Sequence, residues 1–229
     1  MFATTDWNNV LAAANPVASD ARERLAGRYW LPLYALARRK GLTPADAQDA
    51  VQGFLGRIFE GDRLAAVSVE GGRFRDFLRS GLENFLISQH RAETRQCRRP
   101  PGGFASPDSE DPEAWAALGA VDSRTPEQVY DRCCARRLLD RALANLRAEY
   151  KEQGRTELFA HLTACLDRDV HTTAHEEVAR RLGLHPGTVR NAVKPFRERF
   201  RELFRREVAA TLNDPSRVDE EIRDLLAAL

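Results

Sequence analysis

The chain is poor in the residues that most chemistry needs. Of 229 residues only four are cysteine (Cys97, Cys133, Cys134 and Cys165), and none forms a C-x-x-C pair. The adjacent Cys133 and Cys134 do not easily bridge each other, so a disulfide framework is not expected. His171 and His175 stand four apart with Cys165 before them, but no fourth ligand follows at a familiar spacing, so no metal site is expected. Neither a phosphate-cradling glycine-rich loop nor a nucleophile, base and orienter set is present, and no cofactor is implied. An enzyme is the least expected class. A run of 18 apolar residues is also missing, and the start MFATTDWNNV carries neither a basic nor an apolar stretch. Neither a membrane span nor a secretory signal is therefore expected, and the reading is a cytoplasmic protein.

Lysine is nearly missing as well: Lys40, Lys151 and Lys194 are the only three among 35 basic residues. The other 32 are arginine, which fits a GC-rich coding bias and equally suits bidentate contacts to phosphate. Valine and isoleucine are sparse and alternating patterns are absent, while Ala, Leu, Arg and Glu dominate. The fold class expected is all-α. Helix starts are marked at Thr43-Pro44-Ala45-Asp46, at Thr125-Pro126-Glu127-Gln128 as a capping box, and at Ser216-Arg217-Val218-Asp219.

Between the helical blocks lies a stretch with Pro100, Pro101, Pro107, Pro112, Gly102 and Gly103 and no amphipathic period. It reads as a linker over 99–124, dividing a first domain, 1–98, from a second, 125–229. The formal charge of +1 is a cancellation. Seven arginines against three carboxylates give +4 over 71–99; one arginine against seven carboxylates gives −6 over 100–131. Nine basic residues against two acidic give +7 over 180–206.

The second basic block is the more specific. AHEEVARRLGL-HPGTVRNAV reads as a helix, a turn at Gly183 with Leu184 plugging it, and a second helix from Pro186. Val189, Val193, Phe196, Phe200, Leu203, Phe204 and Val208 form its inner stripe. Thr188, Arg190, Asn191 and Lys194 project from the other side, as in a helix-turn-helix whose second helix enters the major groove. Arg190 suits guanine and Asn191 adenine, with Arg197 and Arg201 toward phosphates. A plain helical hairpin with a solvated basic face is the alternative. Pro195 predicts a bend near Asn191–Lys194. In the first block Phe74, Phe77, Leu78, Leu82, Phe85 and Leu86 recur at helical spacing, opposite Arg75, Arg79, Asn84, Ser88, Arg91 and Arg95. Taken alone the aromatic stripe is core, or else a platform for stacking unpaired bases.

Asp46-AQDAVQGF with Phe74-RDFLRSGLENFL resembles region 2 of sigma-70-type RNA polymerase sigma factors, particularly the extracytoplasmic-function class, and the helix-turn-helix resembles their region 4. Trp7 to Ala13 and Asp214 to Leu229 resemble the ends of one variant of that class, so coverage is near complete. The resemblance implies a subunit that binds core RNA polymerase through its clamp coiled coil and flap, recognises promoter DNA and opens the −10 region. It implies that Asp46, Asp49, Gln52 and Phe54 dock on the polymerase. Phe74, Arg75, Phe77 and Asn84, with Arg91 and Arg95 beyond, would serve the −10 element; Thr188, Arg190, Asn191, Lys194 and Arg197 would serve the −35 element. An anti-sigma factor or other regulator is a further implied partner. The chain departs from the family pattern at Gly53 (usually Glu), at Phe77 (commonly Trp), at Lys194-Pro195 and at His185, a weaker N-cap than the usual Ser.

The acidic carboxylates Asp108, Glu110, Asp111 and Glu113 are expected either to thread a positively charged channel of the polymerase or to form a solvated spacer. The acidic stretch is also expected to cover the basic faces of the free protein. The C-terminal apolar stripe Val218, Ile222, Leu225, Leu226 and Leu229 packs on its own domain or docks a regulator. The rival functions are a polymerase-independent helix-turn-helix regulator and a protein–protein adaptor.

Overall fold

The computed structural model describes residues 19–59, 73–93, 111–117, 124–166, 172–212 and 214–229. All regular structure among them is helical: α1 (Ser19–Arg39), α2 (Pro44–Phe59), α3 (Phe74–Glu93), α4 (Pro112–Ala117), α5 (Pro126–Glu152), α6 (Thr156–Ala164), α7 (Thr172–Leu182), α8 (Pro186–Ala209) and α9 (Val218–Ala227), the last preceded by a 3₁₀ turn, Pro215–Arg217. The all-α expectation holds for these residues. No described helix is long and apolar enough to cross a membrane.

Two of the three expected helix starts have the expected chemistry. The Thr43 hydroxyl accepts the Asp46 N–H at 3.2 Å and donates to the Asp46 carboxylate at 2.7 Å. Thr125 and Gln128 form a reciprocal capping box, with Gln128 Oε1 accepting the Thr125 N–H at 2.9 Å and Thr125 Oγ1 accepting the Gln128 N–H at 3.3 Å. The third differs. Asp214, rather than Ser216, supplies the cap, accepting the Ser216 N–H at 2.9 Å and starting the 3₁₀ turn ahead of α9.

The chain divides into two compact units, Met1–Arg137 with Val208–Leu229, and Leu138–Glu207. This differs from the expected boundaries at 98 and 125. In the first unit α1 is the central helix, buried on every side from Tyr29 to Ala37. Pro32 lies inside it and costs about 3 kcal/mol of helix by the usual measure. Fully burying large apolar side chains such as Trp30, Leu31, Leu33 and Leu36 contributes about 1.5–3 kcal/mol each and more than offsets this. Against α1 pack α2, through a face of Ala47, Val51, Phe54, Leu55 and Ile58, and α3, through Phe74, Leu78 and Leu82. The first turns of α5 add Val129, Tyr130, Cys133 and Cys134 to the same core.

The stretch expected as a linker contributes to that core too. Within it, α4 packs on α1 and buries Trp115, with the Arg137 guanidinium 5.9 Å from the centre of the indole. Asp111 caps α4 by accepting the Glu113 N–H at 2.9 Å. The Glu113 carboxylate is held by Arg38 in a two-pronged pair at 3.0 and 3.1 Å and accepts the Tyr34 hydroxyl. Of the four carboxylates expected to thread a channel, Glu113 is therefore paired and Asp111 is a cap; Asp108 and Glu110 lie outside the described residues. A single tryptophan in one and a half helical turns leaves no period to read, which is why this segment looks structureless in sequence. On α5, beyond that stretch, Glu127 lies 3.6 Å from Lys40, and Asp131 pairs with Arg75 and Arg79.

In the second unit the rest of α5 packs with α6, α7 and α8 around Leu146, Leu158, Phe159, Leu162, Ala179, Val189 and Phe196. Tyr150, Phe159 and Phe196 form an aromatic triangle with centroids 5.5–5.9 Å apart. Arg199 grips Glu149 through two bonds of 2.9 and 2.6 Å, and Arg141 and Asn145 share Glu207.

Truncating Trp115→Ala is expected to cost about 3–5 kcal/mol, because it removes an aromatic from the core of the first unit; urea denaturation measures it. Hydrogen bonds from Arg38, then from Tyr34, hold the Glu113 carboxyl below its ordinary value. A depressed carboxyl pKa contributes stability that is complete above the unfolded value and is lost as pH falls through the folded one. Stability should thus decline as pH drops below about 4.3, and Glu113→Gln should flatten that decline in denaturation curves recorded from pH 6 to 3.

Candidate nucleic-acid interface

Two surfaces carry the residues suited to nucleic acid, one in each unit. In the first unit a cleft of about 420 Å³ opens between α2 and α3, lined by Phe54, Arg57, Ile58, Phe77, Gly81, Asn84, Phe85 and Ser88. Two glycines allow the helices to meet there. A Cβ at Gly81 would stand 2.9 Å from the Phe54 ring, and one at Gly53 would stand 3.3 Å from the Phe85 ring. Glycine at position 53 thus has a packing reason: a side chain there presses on Phe85. Phe54 and Phe85 are 5.9 Å apart and tilted by 56°, and the Arg57 guanidinium sits 5.9 Å from the Phe85 ring centre. Phe77 stacks on Phe74 at 5.9 Å. Asn84 is exposed at the rim, where the Ser88 hydroxyl donates to its main-chain carbonyl at 2.8 Å. Aromatic walls, an amide and an arginine together suit one unpaired base, stacked on the rings with its edge toward the amide.

Phe77 and Asn84, expected at the −10 element, meet in this cleft. Arg57, unmarked in sequence because it lies outside the basic block, joins them. Phe74 and Arg75 do not. Phe74 is 2 % exposed, its ring edge-on to Tyr29 at 5.5 Å, and Arg75 is 7 % exposed and bound to Asp131 and Glu221. Burial by itself lowers the Arg75 pKa, but Glu221 and then Asp131 outweigh it and hold the group above ordinary arginine. Arg91 belongs to α3 with its side chain outside the described residues, and Arg95 lies outside them altogether. Of the residues expected to dock on polymerase, Asp46 and Asp49 are exposed and Gln52 is half-buried. Phe54 is a correction: at 4 % exposure it is a core residue and a wall of the cleft.

In the second unit α7 ends at Gly183, whose φ of +65° lies in the left-handed region that glycine adopts without strain. The turn is closed by the Leu184 N–H on the Ala179 carbonyl at 2.8 Å. Leu184 itself is 38 % exposed, so it does not plug the turn as expected. His185 proves an effective cap: its Nδ1 accepts the Gly187 N–H at 3.1 Å. From there α8 runs to Ala209 as one helix with Pro195 inside it. Val189 and Phe196 are buried beneath it, while Thr188, Arg190, Asn191 and Lys194 are exposed on its first turns. Lys194 stands 3.9 Å from Glu198, with its side chain 85 % exposed. Arg197 is a second correction. Its Nε and Nη2 donate to the Cys165 carbonyl at 2.9 and 2.6 Å, so it braces the end of α6 instead of reaching for phosphate.

No protein-family model matches the chain, and neither a curated protein nor a solved structure matches it.

Among the described residues no group of three His, Cys, Asp or Glu is arranged to hold a metal. Cys97 and His171 lie outside those residues, as does the side chain of His175. Cys165 is buried, its thiol donating to the His161 carbonyl at 3.6 Å. Burial pushes the Cys133 thiol up to about 12 and raises Cys134 as well, which leaves both protonated at neutral pH.

Replacing Gly81→Ala is expected to drive a methyl group into the Phe54 ring and destabilise the first unit by about 1–3 kcal/mol; thermal unfolding followed by circular dichroism measures the loss.

Proposed function

We propose that this protein is a dissociable initiation subunit of the sigma type, which directs core RNA polymerase to particular promoters and holds the −10 region open without chemistry of its own. The observation that carries the reading is the presence in one chain of two complementary faces. The exposed Thr188, Arg190, Asn191 and Lys194 on a helix-turn-helix suit the major groove of a duplex, and the cleft between α2 and α3 suits an unpaired base. A protein that reads a duplex at one place and stabilises opened strands at another is what promoter opening requires.

In this reading the first unit is the region 2-like module, offering Asp46, Asp49 and Gln52 to the clamp coiled coil, with Phe54 as the buried support of that helix. The second unit is the region 4-like module, facing the flap and the −35 element. Arg190 forks onto a guanine edge and Asn191 onto an adenine edge. Phe77, Phe85 and Asn84 receive an extruded base, and Arg57 offsets the charge of the strand that carries it. Stacking there recovers the few kcal/mol spent on unstacking. The site of action is the cytoplasm, on promoter DNA.

Run-off transcription from a promoter library with purified core polymerase, with and without this protein, tests the reading. Starts at selected sequences that depend on the protein are expected. Their absence overturns it, and tight duplex binding without polymerase would then favour a helix-turn-helix regulator. Within the same assay Arg190→Ala should relax selectivity by about 1–3 kcal/mol at one base pair of the −35 element; an unchanged preference profile refutes that residue's role.

A further inference from the structure

We infer that the C-terminal helix α9 is an autoinhibitory latch, its carboxylates occupying a site for a nucleic-acid phosphate at Arg73, at the head of the α3 face that opens into the cleft. The inference deepens the proposed function and rests on the first unit taking unpaired DNA. At 3.6 residues per turn, positions 73, 77, 84 and 88 fall on one side of a helix. Arg73, just before α3, accepts the Phe77 N–H on its carbonyl at 3.2 Å and so stands at the head of the row that continues through Phe77, Asn84 and Ser88. A strand whose base enters the cleft carries its backbone along that row, and a guanidinium at its head is where a phosphate belongs.

That guanidinium is already occupied. Among the described residues every ion-pair partner of Arg73 lies on α9: Glu221 at 2.7 Å, Glu220 at 3.6 Å, and Asp224. Glu221 also reaches Arg75 at 2.7 Å and is 1 % exposed, so one carboxylate ties the tail to both arginines. The helix has the composition for this, with Asp219, Glu220, Glu221 and Asp224 against Arg223 alone. A carboxylate and a phosphate present the same kind of acceptor pair to an arginine fork, so the two compete for it.

The contact is built for exchange. Although Arg75 Nε lies 2.7 Å from Glu221 Oε1 and Arg73 Nε 2.7 Å from Glu221 Oε2, neither Arg75 Nε nor Glu221 Oε2, both buried, makes a hydrogen bond. A buried pair offsets its desolvation only when its hydrogen bonds are well made, so this one is a poor permanent staple. Apolar anchoring of α9 rests on three residues, with Val218 and Leu225 buried and Ile222 half-buried, while Leu226 is 51 % exposed.

The test uses the full-length chain and a fluorescein-labelled single-stranded oligodeoxynucleotide, with binding read by anisotropy over a series of KCl concentrations. Glu220 and Asp224 are half-exposed, so the double variant Glu220→Gln/Asp224→Asn removes two tail charges without leaving a buried one unpaired. It should bind about tenfold tighter than the native chain, with a salt slope steeper by about one unit, and adding Arg73→Gln should abolish the gain. In the native chain, hydrogen exchange should show the amides of 218–227 losing protection as oligonucleotide is added. Unchanged affinity, a gain that survives Arg73→Gln, a tail still protected at saturating oligonucleotide, or no binding by any variant overturns the latch. Failure of the initiation reading is separable: it shows as missing run-off starts while the tail is still released by single-stranded DNA.

Discussion

A guanidinium taken out of water has to be met by carboxylates, and in the first unit that constraint falls on Arg75. Left alone, a buried cation costs several kcal/mol, so the chain brings Asp131 from α5 and Glu221 from α9 to it. Tyr130, next to Asp131, donates its hydroxyl to the Arg75 carbonyl at 3.0 Å, so backbone and side chain are held from the same helix. Helix α5, distant in sequence, is thereby bound to the start of α3, and α9 is the second helix to reach it. The position of α3 in turn decides where Phe77 and Asn84 stand, and so whether there is a cleft at all.

Close approach is the second constraint. Gly53 and Gly81 let the Phe85 and Phe54 rings lie against the backbones of the facing helices, and the aromatic walls of the cleft follow from those two missing side chains. The second unit achieves its surface differently. Its inward residues, Val189 and Phe196 against Phe159 and Leu162, form an ordinary aromatic and aliphatic core. Arg197 and Arg199 hold the scaffold through Cys165 and Glu149, and Arg190 is left exposed. Arginine, the commonest basic residue here, thus has two structural uses and one outward-facing one.

Much of this was legible in the residues, and the failures are instructive. Threonine followed three positions later by Asp or Gln marked the starts of α2 and α5 because capping is a local matter, decided within four residues. The outer face of α8 was legible for the same reason, since a 3.6-residue period separates Val189 and Phe196 from Arg190 and Asn191. Phe54 and Phe74 drew their expected roles from resemblance, although spacing alone already put Phe74 in the core; Arg75 is buried because periodicity tells which residues share a side and not whether something covers that side. Trp115 escaped notice because one residue has no period. His185 was undervalued because an imidazole nitrogen caps a helix only at the right rotamer, which composition does not reveal.

Sequence alone determined the helical class, two of the three marked helix starts, the turn at Gly183 and the basic face that follows it, all products of interactions spanning a few residues. Tertiary structure decided which arginines are exposed. Arg75 pairs with Asp131 across 56 residues, Arg73 with Asp224 across 151, and Tyr34 with Glu113 across 79. An arginine reads identically in sequence whether a carboxylate of its own chain or a phosphate from outside will neutralise it. Only the folded chain, by bringing α4 and α9 back onto the first unit, settles which of the two it meets.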